Sequence, residues 1–129
     1  MVSRTTADRQ AAFKRGLDAE EAAAALYRAE GFAIVASRAR TAAGEIDLIA
    51  ARDDLVVFIE VKRRKSLDGA AESLSPRQQQ RIARAALVWL AENPGFADRD
   101  MRFDAVLLAP GGETRHIVDA FQADGLDMF

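Results

Sequence analysis

Positions 55 to 62, Leu-Val-Val-Phe-Ile-Glu-Val-Lys, run apolar on both alternating faces until a glutamate and a lysine interrupt them. Strand side chains alternate, so Val56 and Phe58 point one way and Val57, Ile59 and Val61 the other. Apolar residues on both sides predict a strand covered on two faces. Residues 45 to 51, Glu-Ile-Asp-Leu-Ile-Ala-Ala, form a second such run, and Arg52-Asp53-Asp54 between them predicts a hairpin. Upstream, residues 8 to 30 read as a helix: Phe13, Leu17, Ala24 and Tyr27 recur at helical spacing in an alanine-rich segment closed by Gly31. An extended stretch, "FAIVASRAR", and a loop at Thr41 to Gly44 lead into the hairpin.

The second half has a clear helix start. Ser75 suits the N-cap, Pro76 the first helical position, and Gln78 completes an S-x-x-Q capping box. This helix should run to about Glu92 and stop at "NPG". "MRFDAVLLA", residues 101 to 109, reads as a strand, and "TRHIVDAF" as a short edge strand followed by a tail. Helix, three strands, helix, then one or two strands predicts an α/β domain, a mixed sheet with helices packed against it.

Length and composition narrow the class. A chain of 129 residues, half of them hydrophobic and 29% charged, fits one globular domain over residues 1–129, with 1–7 and 123–129 as flexible ends. Apolar runs stay well short of the roughly 18 residues of a membrane span, and "MVSRTTADRQ" lacks the apolar centre of a signal peptide, so no membrane role and a cytoplasmic location are expected. The absence of Cys excludes disulfides and thiolate metal sites and leaves oxygen ligands, with the single His116 as a minor option. The net charge of −2 argues against a general nucleic-acid binder, yet Lys62, Arg63, Arg64, Lys65, Arg77, Arg81 and Arg84 crowd residues 62–84 against only Asp68 and Glu72.

The carboxylates inside the apolar runs carry the chemistry. Folding about Asp53-Asp54 sets Asp47 across from Glu60 and Glu45 across from Lys62, while the spacing of Glu60 and Lys62 puts acid and amine on one face. Opposed carboxylates repel one another. A divalent cation between them offsets that repulsion, and oxygen ligands suit Mg²⁺ or Mn²⁺. Glu20 falls on the apolar stripe of the first helix and so can reach the same place, whereas Glu21 lies off it. On an open polar face, Asp47, Glu60 and Lys62 would instead be ordinary surface residues and Glu20 a half-exposed helix residue.

With "GEIDLIA", then "VVFIEVKRR", the helix containing "GLDAEEAAAALYRAEGF", the helix after "SPRQQQR" and the late "RFDAVLL", the chain resembles the PD-(D/E)XK nuclease superfamily. It is most similar to the small bacterial YraN-type endonuclease-like family, itself similar to archaeal Holliday-junction resolvases. The resemblance implies a restriction-endonuclease-like fold and Mg²⁺-dependent (or Mn²⁺-dependent) hydrolysis of DNA phosphodiesters, branched structures included, with a homodimer expected by analogy with resolvases. It implies Asp47, Glu60 and the backbone carbonyl of Val61 as metal ligands. Lys62 would orient or deprotonate the attacking water and stabilise charge on the phosphate, and Glu20 would be the helix-borne acid. Two positions depart from the pattern. Ala19 stands where relatives usually have Gly, and Gln78 where many have a lysine. Gln78 shares a helical stripe with Ile82, Ala85 and Trp89, which points it inward as an amide that positions water but supplies no charge.

Arg77, Arg81 and Arg84 share one helical face and, with Arg63, Arg64 and Lys65, could grip nucleic-acid phosphates or simply form a solvated face. Trp89 reads as core, His116 as structural or exposed, and Asp104 as a partner for Arg102 or a neighbour. Beside the nuclease reading stand a non-catalytic nucleic-acid-binding module of the same fold and a protein-interaction domain whose acidic cluster is structural.

Overall fold

The structure is a computed structural model that describes residues 19–67 and 74–123. The expected start of the first helix, with Phe13 and Leu17, and the chain ends at 1–7 and 124–129 lie outside the described residues. Helix α1 covers residues 19–29 and ends where Gly31 takes a φ of +88°. Strands β1 (Ala33–Thr41), β2 (Gly44–Arg52) and β3 (Leu55–Arg63) follow. Then come helix α2 (Pro76–Glu92), a 3-10 turn at Pro94–Phe96, and strands β4 (Asp100–Leu108) and β5 (Thr114–Phe121). This is the predicted element order, with the edge strand β5 present at eight residues.

The five strands lie in the order β1-β2-β3-β4-β5. All neighbours are antiparallel except β3 and β4, which are parallel and joined through α2, a mixed sheet consistent with a restriction-endonuclease-like domain. At the β2–β3 turn Asp53 adopts a φ of +54°, a conformation Asp tolerates better than most residues and one that two-residue hairpins require.

Each face of β3 carries the residues its alternation predicts. Val56 and Phe58 pack under α2 with Ile49, Ile82, Ala86, Trp89, Phe103 and Leu107. Val57 and Ile59 pack under α1 with Ala23, Ala24, Tyr27, Leu48 and Val106. Alanines on both helices let their backbones approach the sheet, and Phe58 meets Trp89 edge-on with ring centroids 5.9 Å apart. The capping box at the start of α2 forms in full: Ser75 Oγ accepts from the Gln78 amide at 3.2 Å, and Gln78 Oε1 accepts from the Ser75 amide at 2.9 Å. Among the described residues no helix is long and apolar enough to cross a membrane.

Candidate active site

The β2–β3 ladder runs from Arg52 opposite Leu55 to Leu48 opposite Ile59, in the register the turn predicts, and there it stops. The next pair of that register, the expected Asp47 opposite Glu60, does not form as a ladder pair. Beyond it β2 pairs only with β1, as far as Gly44, and β3 only with β4, as far as Arg63. The two strands therefore part at Asp47 and Glu60, leaving a fork in the middle of the sheet. Asp47 Oδ2 accepts the Val61 amide hydrogen at 2.8 Å, so a carboxylate stands in for the missing strand partner. A residue in an extended strand aims its N–H and C=O the same way, so the Val61 carbonyl faces the fork as well.

The expected opposition of Glu45 and Lys62 is absent because the ladder has already ended. Glu45 lies opposite Arg40 on β1 instead, its Oε2 3.7 Å from Arg40 Nε. Lys62 turns to its own strand: Nζ is 3.6 Å from Glu60 Oε1, and the side chains are only 14% and 10% exposed. A second cation reaches the same oxygen from α2, with Arg81 Nη2 3.8 Å from Glu60 Oε1. Its aliphatic stem crosses Gly44 at the start of β2, where a Cβ would lie 3.4 Å from Arg81 Cγ.

Burial and mutual repulsion dominate the electrostatics. Burial, then the neighbouring Asp47 charge, pushes the Glu60 carboxyl up to about 7, against the pull of Lys62 and Arg81. Asp47 is also raised, by burial first and then by the charges of Glu20 and Glu45, although the Val61 amide and Lys62 oppose this. Two adjacent carboxyls with the Val61 carbonyl beside them form a set of hard oxygen donors. Asp47, Glu60 and the Val61 carbonyl thus fit a hard divalent cation of the Mg²⁺ or Mn²⁺ type.

Glu20 approaches from α1 closely enough to raise Asp47, yet its Oε2 is held 2.8 Å from Arg38 Nε. Arg38 lies in β1 between the pairs Ser37–Leu48 and Ala39–Ile46, hence beside Asp47, and has a φ of +49°. Among the described residues no three Asp, Glu or His side chains are grouped as a metal cage, so Glu20 stands at the margin of the acid pair. Gln78 is partly buried as the stripe predicts, but its amide oxygen belongs to the helix cap. The α2 side chain that reaches the acids is Arg81.

The remaining basic residues separate into two places. Arg77 and Arg84 lie exposed on α2 with Arg81. Arg63 ends β3 and Arg64 and Lys65 follow it, and together they line a cavity of about 210 Å³ with Leu108 and Pro110. The Arg64 amide donates to the Leu108 carbonyl at 2.9 Å, continuing the β3–β4 pairing.

A separate cluster reaches further than the pairing of Asp104 with Arg102 that the sequence predicts. Asp104, 1% exposed, receives two hydrogen bonds from Arg102 at 2.9 Å, one from the Tyr27 hydroxyl at 2.6 Å and one from the Asp119 amide at 2.9 Å. His116 Nε2 lies 2.8 Å from the Tyr27 hydroxyl. That hydroxyl's hydrogen goes to Asp104, so His116 is the donor. Burial alone would raise the Asp104 carboxyl, but the Arg102, Tyr27 and Asp119 bonds outweigh it and hold the group below the usual carboxylate range. His116 and Asp104 are thereby structural, tying α1 and β5 to β4.

Relatives share most of this chain. A protein of Bradyrhizobium sp. strain BTAi1, named a UPF0102 protein, is 54% identical over 116 residues, 90% of this chain and 85% of its own length. UPF0102 proteins of Azorhizobium caulinodans and Rhodopseudomonas palustris strain BisA53 are 54% and 53% identical, over 91% and 90% of this chain and 89% of each relative. The model of the "Uncharacterised protein family UPF0102" matches residues 19–108, from the end of α1 that bears Glu20 to the end of β4. The chain belongs to the UPF0102 family, the YraN-type PD-(D/E)XK-like group.

Proposed function

We propose that this protein is a metal-dependent endonuclease that hydrolyses DNA phosphodiester bonds, branched structures among them. One observation carries the reading: a buried carboxyl, Glu60, and a partly buried one, Asp47, meet where β2 and β3 part, with an amine and a guanidinium within 4 Å of the first. Holding two repelling carboxyls out of bulk water is costly unless something compensates it. Mg²⁺ or Mn²⁺, held by Asp47, Glu60 and the Val61 carbonyl, would polarise the phosphoryl oxygen and lower the pKa of water at the site.

The chain's own groups supply the rest. Asp47 is fixed by the Val61 amide, so its orientation is set before substrate arrives. Lys62, on the face of Glu60, orients the attacking water and places a compact cation against the charge developing on the phosphate. Arg81 adds a planar cation from the α2 side, restoring the charge that Gln78 does not provide. Glu20 and Arg38 close the α1 side of the fork. A DNA substrate sets this work in the cytoplasm, and a junction with two strands to cut calls for two copies of the chain.

A DNA-binding module of the same fold without turnover is the second reading. It is favoured by the commitment of the Gln78 amide oxygen to the helix cap and of Glu20 to Arg38. Incubating the protein with Mg²⁺ or Mn²⁺ and end-labelled duplex, flapped, three-way and four-way DNAs separates the two. Cation-dependent cuts that vanish in Glu60→Gln support the nuclease. Binding without cuts on every substrate supports the module, and neither binding nor cuts leaves an interaction domain.

A further inference from the structure

The strand register extends the acid site sideways. Lys62 lies opposite Leu107 on β4, and Leu107 lies opposite Arg115 on β5. Residues in one row of a sheet point to the same face, and Leu107 packs in the core beneath α2, with Ile117 of β5 against it. Arg115 therefore shares a row and a face with Lys62, two strands away. At ~4.8 Å per strand the two backbones are roughly 10 Å apart.

A cleft of about 450 Å³ opens beside Arg115, lined by Lys65, Ser66, Leu67, Pro110, Glu113 and Arg115 among others. Lys65 and Arg115 are exposed, and among the described residues neither forms an ion pair. Among the described lining residues two cations, Lys65 and Arg115, face a single carboxylate, Glu113. The chain as a whole carries −2, so an excess of cations among the described lining residues is a local feature of the fold. Its volume suits a ligand of nucleotide size rather than a lone anion.

We propose that this cleft is a second phosphate subsite, in which Lys65 and Arg115 grip the backbone of the DNA strand whose cleaved bond lies over Lys62. The proposal rests on the nuclease reading for its substrate. A strand advances ~3.4 Å per nucleotide along a helix axis, so the gripped phosphate belongs two or three nucleotides from the bond that breaks. The strand then crosses the β3, β4 and β5 ends in one direction, from the fork toward the β4–β5 turn. Arg115 and Lys65 act by binding and positioning and touch no reacting atom.

The test measures binding of a fluorescein-labelled four-way DNA junction to the protein in EDTA, by anisotropy, between 50 and 200 mM salt. Wild type, Arg115→Ala, Arg115→Lys and Lys65→Ala are compared, with thermal melts to verify folding. The subsite predicts that Arg115→Ala and Lys65→Ala each flatten the log–log salt slope by ~0.9 and that Arg115→Lys restores it. Over a fourfold salt range a slope change of ~0.9 is about a threefold change in relative affinity. Wild-type slopes in both alanine variants, with the DNA still bound, would overturn the subsite and leave the nuclease reading intact. A wild-type protein that binds no DNA would remove both together.

Discussion

Arg81 passes over Gly44 to reach Glu60: its stem lies against Gly44, and its Nη2 ends 3.8 Å from Glu60 Oε1. A helix residue on a half-exposed face is thus directed over the end of β2 into the fork. Gly44 has a φ of +141°, which L side chains rarely adopt, so a side chain there is strained, and its Cβ would lie in contact with Arg81 Cγ at 3.4 Å. Gly44→Ala should destabilise the protein by about 1–3 kcal/mol through backbone strain and lower cleavage as Arg81→Ala does. Urea melts and cleavage rates of both variants check this. Full activity in Gly44→Ala would detach Arg81 from the site.

Replacing Arg81 and Arg84 together with Ala should weaken DNA binding with little dependence on sequence. The salt slope should flatten by ~0.9 for each phosphate that the helix no longer neutralises. An unchanged slope would make this helix face a solvated surface.

The metal-free protein should lose stability as pH rises from about 4.5 to about 7. Glu60, pushed up by burial and by Asp47, binds its proton more tightly folded than unfolded. Its contribution is fully present below the unfolded carboxylate value and lost as pH climbs through the folded one. Asp47, also raised, acts in the same direction. Urea midpoints in EDTA at pH 5 and pH 8 measure the effect, and Glu60→Gln should reduce the difference.

Asp104 has the opposite sign. Its folded pKa is depressed, so its stabilisation is present above the unfolded value near 4 and lost as pH falls through the folded one. Asp104→Ala leaves Arg102 and the Tyr27 hydroxyl without their buried acceptor and should cost about 3–5 kcal/mol. Tyr27→Phe, which removes one donor to Asp104 and the acceptor for His116, should cost about 1–3 kcal/mol. Denaturant melts of both variants at pH 7 give the values, and losses below 1 kcal/mol would mean that other packing holds α1 and β5.

Much of this architecture is legible in the sequence because its determinants are local. Two-faced alternation from Val56 to Ile59 places β3 between the helices, and the Asp53-Asp54 turn sets the register that holds to Ile59. Ser75 and Gln78 announce the start of α2. The fork is not legible, since the turn sets the register of the hairpin but not the residue at which its ladder ends. For that reason the hairpin pattern puts Glu45 beside Lys62, whereas the fold puts it beside Arg40. Arg81 shares a helical face with Arg77 and Arg84, and only the gap at Gly44 shows that its long stem folds inward. Gln78 satisfies two patterns at once, cap and inward stripe, and its amide oxygen serves the cap. The Tyr27–Asp104–His116 cluster joins residues more than 70 positions apart, beyond the reach of any spacing rule.

The central claim is that Asp47 and Glu60 share the fork in order to hold a divalent cation, and paired thermal melts with and without Mn²⁺ test it most directly. Binding to the folded state should raise the wild-type melting temperature, with about 2.7 kcal/mol of stabilisation at a hundredfold excess over Kd. Asp47→Asn keeps an amide oxygen able to accept from Val61 while removing a repelling charge and a metal ligand. It should be as stable as wild type or more so without Mn²⁺, and should gain nothing from the cation. Lys62→Ala should still respond to Mn²⁺ although cleavage is lost. If instead Asp47→Asn loses about 3–5 kcal/mol without metal, Asp47 is a structural ion-pair partner and the acid pair serves the fold rather than a cation.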